Sequence, residues 1–243
     1  MELPEVSSPP FDFKEGALLL VNKPLDWTSF DVVNKIRFSI RRLYGQKKFK
    51  VGHAGTLDPK ATGLLVICTG KWTKRLEQLQ GLPKTYTGTI KLGATTPSYD
   101  LETEETEIFS IDHLDEASVR AGLEKLTGDL KQVPPMFSAI KVDGQPLYKK
   151  ARKGKVVEIK PRPVHIAEFS ASRIALPEVD FKVDCSKGTY IRSLAYDLGK
   201  ILNSGGYLTA LCRETIGPFR LEDAWEVADL VKHINALERI NPA

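Results

Sequence analysis

The carboxylate most suited to chemistry is Asp58. It lies in the segment Gly-His-Ala-Gly-Thr-Leu-Asp-Pro, residues 52–59. The glycines and Pro59 predict a tight loop, and the apolar run at 64–68 predicts a buried strand just after it. A carboxylate held on such a loop can act as a nucleophile or as an acid–base group. Because aspartate is also a common turn residue, the Asp-Pro pair taken alone favours an ordinary turn.

Other kinds of site find little support in the residue pattern. The Gly52-x-x-Gly55 spacing resembles a phosphate-binding or KH-type loop, but no Lys-Ser/Thr pair follows it. The cysteines, three in number, are widely spaced and include no C-x-x-C, and the four histidines lack the spacing of metal ligands. We therefore expect no metal, no cofactor, no disulfide framework and a cytoplasmic protein. No apolar run approaches the roughly 18 residues of a membrane span, so no membrane contact is expected.

Several elements must position Asp58. Strands are predicted at 17–22, 64–68, 84–92, 155–172 and 178–185, and helices at 115–127, 190–202 and from an N-cap at Ser29 to Gly45. These elements do not follow a strict β-α-β alternation. The pattern predicts an α+β (mixed α/β) fold with a long, mostly antiparallel sheet.

The charge pattern points to a polyanion. The net charge is only +4, but residues 35–50 hold seven Lys or Arg and no acid, and residues 141–162 hold eight against Asp143 and Glu158. Each block alone favours an ordinary solvent-exposed face of a helix or loop, whereas two such blocks make binding to nucleic acid an equally good explanation. The second block overlaps residues 134–154, a stretch rich in Pro, Gly, Lys and Arg that we interpret as a protruding hairpin or thumb-like insertion. Such loops often clamp a ligand.

Four further motifs accompany the Asp58 block in a fixed order. They are Asn22-Lys23-Pro24 with Thr28-Ser29; Lys84-Thr85-Tyr86 with Leu92-Gly93; Pro134-Pro135 with Ser138-Ala139-Ile140-Lys141, Gly144, Tyr148, Ala151-Arg152 and Gly154; and Cys185-Ser186-Lys187-Gly188-Thr189-Tyr190-Ile191-Arg192-Ser193-Leu194. Together with Asp58, they resemble the tRNA pseudouridine-55 synthase family from about residue 16 to 220. The resemblance implies the pseudouridine synthase fold.

The resemblance also implies roles for individual residues. Asp58 would be the catalytic carboxylate, paired with Arg192, which would keep it ionised. Tyr86 would stack on the target uracil and assist proton removal, and Tyr190 would line the pocket. The remaining substrate-binding residues would be His53 at the flipped-out RNA, Leu211 in an apolar pocket, Lys23 in the first motif and Asp100 near the opened RNA loop. Each also has an ordinary structural interpretation, such as a strand tyrosine or a surface arginine.

The implied reaction agrees with the residue types. Isomerising uridine to pseudouridine breaks the glycosidic C–N bond, turns the base and rejoins it through C5, so atoms balance and no cofactor is required. A stacked base must first be flipped into a pocket. An aromatic face then replaces the lost stacking, worth roughly 1–3 kcal/mol per base.

Three departures from the family pattern matter. Only 23 residues follow Arg220, so we expect no C-terminal PUA domain and predict instead a short helical extension over 223–243. Cys212 stands where the family often has arginine. The run Thr95-Thr96-Pro97-Ser98-Tyr99-Asp100 departs from a Thr-x-Thr-x-Asp pattern. The predicted organisation is a flexible tail at 1–13, a catalytic domain at 14–222 and the extension.

The substrate expected from the resemblance is the T-arm stem-loop of tRNA. The protein is expected to be a monomer without an obligate protein partner. Two alternatives remain at this point: a noncatalytic RNA-binding protein using the same cleft, and a synthase of the same fold that modifies another RNA site.

Overall fold

The structure is a computed structural model that describes residues 3–142, 144–154 and 157–237. Its strands are β1 (Leu18–Lys23), β2 (Val51–His53), β3 (Thr62–Thr69), β4 (Lys84–Leu92), β5 (Ala94–Thr95), β6 (Glu107–Ile108), β7 (Gly128–Gln132), β8 (Lys141–Val142), β9 (Gln145–Pro146), β10 (Arg162–Ala175), β11 (Glu178–Cys185), β12 (Gly206–Ile216), β13 (Phe219–Arg220) and β14 (Trp225–Glu226). Its α-helices are α1 (Ser29–Leu43), α2 (Leu76–Gln80), α3 (Glu116–Glu124), α4 (Leu147–Ala151), α5 (Ile191–Ile201) and α6 (Val227–Ala236); Gly70–Arg75 and Leu221–Asp223 form 3₁₀ helices.

The chain divides into two compact units. The first comprises Met1–Lys84 and Cys212–Ala243, and the second comprises Thr85–Leu211. These units do not coincide with the single catalytic domain predicted at 14–222. The boundaries of that domain stay a prediction.

The sheet of the first unit centres on β3. Strands β1 and β2 pair with it antiparallel, and Cys212 and Arg213 of β12 pair with it in parallel. Strand β14 continues this part of the sheet, parallel to β1. Strand β3 is buried along nearly its whole length, as its continuous apolar run predicts for a strand covered on both faces. It follows directly after the Asp58 loop and gives that loop a rigid base.

Two apolar layers cover the faces of this sheet. On one face, α1 and α6 pack on alternate side chains of β1 and β3, such as Leu19 and Ile67. On the other face, Leu18, Leu20 and Val66 pack against Leu79 of α2. The helix predicted within the C-terminal extension is therefore present as α6; residues 238–243 of that extension lie outside the described residues.

The beginning of α1 differs by one residue from the prediction. Its N-cap is Thr28 and not Ser29: the Thr28 hydroxyl accepts a hydrogen bond from the Asp31 amide, and the Asp31 carboxylate accepts one from the Thr28 amide. Both residue types cap helices well, so the sequence did not distinguish them. Ser29 is instead buried and directed at the Asp58 loop.

The predicted N-terminal tail is wrong for its last residues. Phe11 and Phe13 are buried in the core layer shared with α1 and α6. The Phe13 carbonyl accepts a hydrogen bond from the Thr69 hydroxyl, which also accepts one from the Ala17 amide. The tail was predicted because this segment shows no pattern of a helix or strand. Burial of two aromatic side chains, however, stabilises an ordered segment even without regular secondary structure.

The sheet of the second unit is antiparallel in its described pairings. Strand β10 pairs with both β11 and β7. Strand β4 lies between β11 and the first part of β12, and the hydroxyls of Thr85 and Thr89 donate to Asp184 and Asp180 across the β4–β11 pair. The strand expected at 155–172 begins later, at Arg162, after Pro161; residues 155 and 156 lie outside the described residues.

Helix α5 packs closely on its surroundings because glycines allow it. A Cβ on Gly199 would come within 2.2 Å of the Gly205 carbonyl carbon, and one on Gly122 of α3 would meet Leu198 at 2.8 Å. Both contacts lie near the end of α5, opposite to the end that carries Tyr190 and Arg192. The Gly205-Gly206 pair follows the helix, and β12 begins at Gly206.

These elements confirm the α+β class. Most strand pairings are antiparallel, while β1–β14 and β3–β12 are parallel, so the sheet is mixed. Within the described parts of the chain, no helix combines the length and the apolar character that crossing a bilayer requires.

Candidate active site

The Asp58 loop of the first unit is held by backbone hydrogen bonds. The Ala61 amide donates to the Asp58 carbonyl at 3.1 Å, and the Asp26 amide donates to the Pro59 carbonyl at 2.9 Å. Gly55 enters the loop with φ +97°, a conformation that favours glycine. Asp58 itself is half-buried. The loop is therefore tight and shaped, as its glycines and proline predict.

Ser29 joins this loop to the first turn of α1. Its hydroxyl donates to the Leu57 carbonyl at 3.1 Å and accepts from the Leu57 amide at 2.8 Å. Both backbone groups of the residue before Asp58 are thus satisfied by one buried side chain. This role was not predicted, because nothing in the Thr-Ser pair shows which of the two caps the helix and which reaches across.

Arg213 supports the other end of the loop. Its side chain is 1% exposed, and its guanidinium donates to the carbonyls of Leu64 at 2.8 Å and Gly55 at 3.0 Å, with the Thr56 carbonyl at 3.5 Å. Gly63 admits the strand that carries Arg213, since a Cβ there would lie 2.5 Å from the Arg213 carbonyl oxygen. The sequence offered only a weak sign of this contact: a glycine at the start of a buried strand, which indicates close backbone approach.

Lys23 lies beneath the loop and is completely buried. Its ammonium donates to the carbonyls of Trp27 at 2.6 Å and Pro24 at 2.9 Å, with the Pro59 carbonyl at 3.5 Å. Burial lowers the pKa of Lys23 to about 8, while the negative charge of Asp58 acts in the opposite direction. These contacts make Lys23 a support of the loop; its part in substrate binding stays a prediction.

The buried Lys23 leads to a testable dependence of stability on pH. Its pKa is about 8 in the folded protein and 10.5 when unperturbed, so between these values the unfolded chain binds more protons. The free energy of unfolding should therefore rise with pH across this window. Relative to Lys23→Met, the wild type should gain about 2 kcal/mol between pH 7.5 and pH 10, measured by urea unfolding. A difference that stays constant over this range would contradict the assigned pKa.

His53 ends β2 just before the loop. Burial lowers the pKa of its imidazole, which favours the neutral ring at pH 7. A neutral imidazole can donate one hydrogen bond and accept another. The predicted contact between His53 and RNA stays a prediction.

In the second unit, Gln132 fixes the backbone at Tyr190. Its side-chain amide accepts from the Tyr190 amide at 2.8 Å and donates to the Tyr190 carbonyl at 3.1 Å. One turn further, the Ser193 hydroxyl donates to the Val133 carbonyl at 2.9 Å. The half-buried Tyr190 ring therefore projects from a fixed point at the beginning of α5.

Arg192 is 3% exposed and ties two loops to α5. Its guanidinium donates to the carbonyls of Ser98 and Phe137, both at 2.8 Å, and its Nε lies 3.6 Å from a carboxylate oxygen of Asp100. The structure thus brings two of the predicted site residues together in this unit. The pairing of Arg192 with Asp58 stays a prediction.

The remaining predicted residues lie on strands. Tyr86 is buried on β4, and Leu211 is half-buried on β12. On β4, the half-buried Thr85 lies between the buried residues Lys84 and Tyr86, and its hydroxyl donates to Asp184. Because side chains alternate along a strand, Lys84 and Tyr86 lie on the face opposite to Thr85. The described residues contain no cluster of three or more His, Cys, Asp and Glu that could bind a metal ion.

Comparison with known proteins identifies the family. The model described as TruB family pseudouridylate synthase (N terminal domain) matches residues 41–191. The protein named tRNA pseudouridine synthase B from Flavobacterium johnsoniae is 54% identical over 219 residues, which cover 90% of this chain and 96% of that protein. Proteins of the same name from Phocaeicola vulgatus and Chlorobaculum tepidum are 51% and 49% identical over 93% and 91% of this chain, and 97% and 92% of theirs.

Solved structures agree on the fold. A Cbf5-Nop10-Gar1 complex contains a chain that matches with a TM-score of 0.67 and 25% identity, over 94% of this chain and 60% of that one. A chain in an H/ACA RNP bound to a substrate RNA matches with a TM-score of 0.64 and 24% identity, over 88% of this chain and 52% of that one. This chain thus spans about half to three fifths of those chains. The predicted pseudouridine synthase fold is confirmed, and the chain belongs to the TruB family of pseudouridylate synthases.

Proposed function

We propose that this protein isomerises uridine to pseudouridine in the T-arm loop of tRNA, at position 55. Family membership supports the reaction, and the curated relatives named tRNA pseudouridine synthase B support the substrate. The observation that carries the proposal is the Asp58 loop: it presents a half-buried carboxylate, and Ser29 and Arg213 hold its backbone. Such preorganisation suits a group that must meet a reacting atom in one orientation.

Each predicted residue except Lys23, which supports the loop, has a part in substrate binding or catalysis in this proposal. Asp58 is the catalytic carboxylate, acting on the base or sugar while the C–N bond breaks and the link through C5 forms. Tyr86 and Tyr190 hold the flipped uracil by stacking, and Leu211 supplies an apolar wall. Arg192 pairs with the catalytic carboxylate and keeps it ionised. Asp100 is the partner of Arg192 in the second unit. His53 contacts the displaced RNA.

The direct test is tritium release from a tRNA transcript labelled at C5 of uridine. We expect one tritium per tRNA and one pseudouridine, mapped by carbodiimide modification and primer extension to position 55. A transcript with cytidine at that position should release none. Release from another uridine would support the isomerisation but would contradict its assignment to position 55. Tight tRNA binding without release would favour the noncatalytic RNA-binding alternative.

We further propose a cytoplasmic monomer that works without an obligate protein partner. Sedimentation of the active protein should give a mass near 27.0 kDa. Activity confined to a larger species would contradict this.

The thumb-like insertion, residues 134–154, carries a prediction about RNA affinity. Strands β8 and β9 pair in it, and α4 places Lys149 and Lys150 beside Lys153; Asp143 lies outside the described residues. Changing these three lysines to glutamine should weaken tRNA binding. The slope of log Kd against log salt should fall by roughly 0.7–0.9 for each phosphate that the variant no longer neutralises. Arg152 is left unchanged because it pairs with Glu102 at 2.7 Å.

The matched control replaces three exposed lysines elsewhere with glutamine, namely Lys125, Lys131 and Lys232. It changes the net charge equally and should leave the salt slope near the wild-type value. Equal slopes for the thumb variant and this control would remove the insertion from the RNA interface.

A further inference from the structure

Tyr99 has an unusual backbone conformation. Its φ is +64°, in the left-handed region that residues with a side chain rarely adopt. It stands in the run Thr-Thr-Pro-Ser-Tyr-Asp, residues 95–100, whose departure from the family pattern the proposed function leaves unexplained. Such strain persists where surrounding contacts hold it, and it concentrates at functional sites.

The contacts that hold Tyr99 come from α5, from β12 and from its own turn. Its ring stacks on Tyr196 with 4.1 Å between ring centroids and 14° between planes. Its carbonyl accepts from the Leu208 amide at 3.0 Å, and its amide donates to the Thr96 carbonyl at 3.1 Å. Burial, followed by the neighbouring Tyr196 and Asp197, raises the pKa of Tyr99 to about 12, so its hydroxyl stays protonated at neutral pH.

The residues on either side of Tyr99 are both partners of Arg192. The Ser98 carbonyl accepts from its guanidinium, and the Asp100 carboxylate lies 3.6 Å from its Nε. Asp100 is 4% exposed, and its carbonyl accepts from the hydroxyls of Thr96 and Ser98. A rotation of the backbone at Tyr99 would therefore displace both groups at once.

Arg192 and Tyr196 are four residues apart on α5, so they lie on one face of the helix. This face meets the turn twice: through the guanidinium at Ser98 and Asp100, and through the aromatic stack at Tyr99. The stack thus fixes the turn at the residue between the two partners of Arg192.

We propose that the Tyr99–Tyr196 stack is a positioning element, which holds Asp100 and the Ser98 carbonyl in register with Arg192 for the isomerisation. The proposal rests on the proposed function, since the part of Arg192 in catalysis belongs to it. Tyr99 and Tyr196 act through the turn and need not touch the substrate.

The first test separates the rate of reaction from RNA binding. Tyr196→Ala should lower the single-turnover rate constant on tRNA by about tenfold or more, since small misplacements at a site cost that much. The Kd for tRNA should stay within about twofold, because the change leaves every basic side chain in place. Tyr196→Phe keeps the stacking ring and should retain the wild-type rate.

A double-mutant cycle tests whether the stack acts through Asp100. If it does, Tyr196→Ala should slow the enzyme far less in an Asp100→Asn background than in the wild type. Tyr99→Gly is the companion variant: glycine accepts the positive φ without strain, so the turn can form without the stack. Tyr99→Gly should remain folded in urea titrations, but its rate of isomerisation should be lower than that of the wild type.

Three outcomes would overturn the proposal: a wild-type rate in Tyr196→Ala, full additivity with Asp100→Asn, or an equal loss in Tyr196→Phe. Each of these requires an active wild type and leaves the proposed function intact. A wild type that forms no pseudouridine in tRNA would overturn the proposed function, and the positioning role with it.

Discussion

Asp58→Asn is expected to abolish pseudouridine formation, with a loss of at least about a thousandfold in the single-turnover rate. Asparagine has nearly the same shape, and the hydrogen bond between the Asp58 carbonyl and the Ala61 amide involves only the backbone. The loop should therefore keep its form while the reactive carboxylate is removed. Tritium release from C5-labelled tRNA measures the rate, and filter binding checks that RNA affinity persists.

Asp26→Asn provides the matched control. Asp26 is a neighbouring acid whose side chain is 62% exposed and pairs with Lys60. Its amide, not its carboxylate, contacts Pro59, so its replacement should leave the rate within about twofold, as expected for an exposed ion pair. Comparable rates for Asp58→Asn and the wild type would exclude Asp58 as the catalytic group.

Arg213→Met is expected to have the largest effect on stability and to disable the loop as well. The change leaves the buried carbonyls of Leu64 and Gly55 without their donor. Uncompensated buried polar groups of this kind cost roughly 2–5 kcal/mol in free energy of unfolding. Because the same bonds hold the Asp58 loop, the reaction rate of the remaining folded protein should fall by about tenfold or more. Urea unfolding and single-turnover kinetics measure the two effects.

Arg220→Met serves as the comparison, since Arg220 is 62% exposed and pairs only with Glu222 among the contacts described for it. Its replacement should change stability by less than about 1 kcal/mol. Arg213→Lys should fall between the two, because lysine keeps the charge but cannot reach several carbonyls with a planar group. If Arg213→Met has the same free energy of unfolding as the wild type, the conclusion that Arg213 supports the Asp58 loop is wrong.

Much of the fold could be predicted from local pattern. The apolar runs of β1 and β3 and the helical spacing in α1, α3 and α5 each predicted the observed element to within a few residues. The burial of Phe11 and Phe13 could not be predicted this way, because a segment without regular structure has no periodicity to detect. It depends instead on apolar surface supplied by distant α1 and α6.

The candidate site was less accessible to physical reasoning than the fold. Asp58 alone fitted a turn, and the roles of Tyr86, Tyr190 and Arg192 came from motifs in family order. The supporting contacts were missed because they join distant residues: Arg213 to Gly55, Arg192 to Asp100, and Tyr196 to Tyr99. No spacing rule connects such pairs, since their geometry exists only after the chain has folded.

The contact between Arg213 and Gly55 also has a consequence for the order of events during synthesis. The two residues are 158 positions apart, so the ribosome has made almost the whole chain before the guanidinium can reach the loop. At roughly 5–20 residues per second, the loop waits about 8–32 s after its own synthesis for this partner. A nascent chain that lacks β12 has no donor at this place, so the preorganised loop is completed only late in translation.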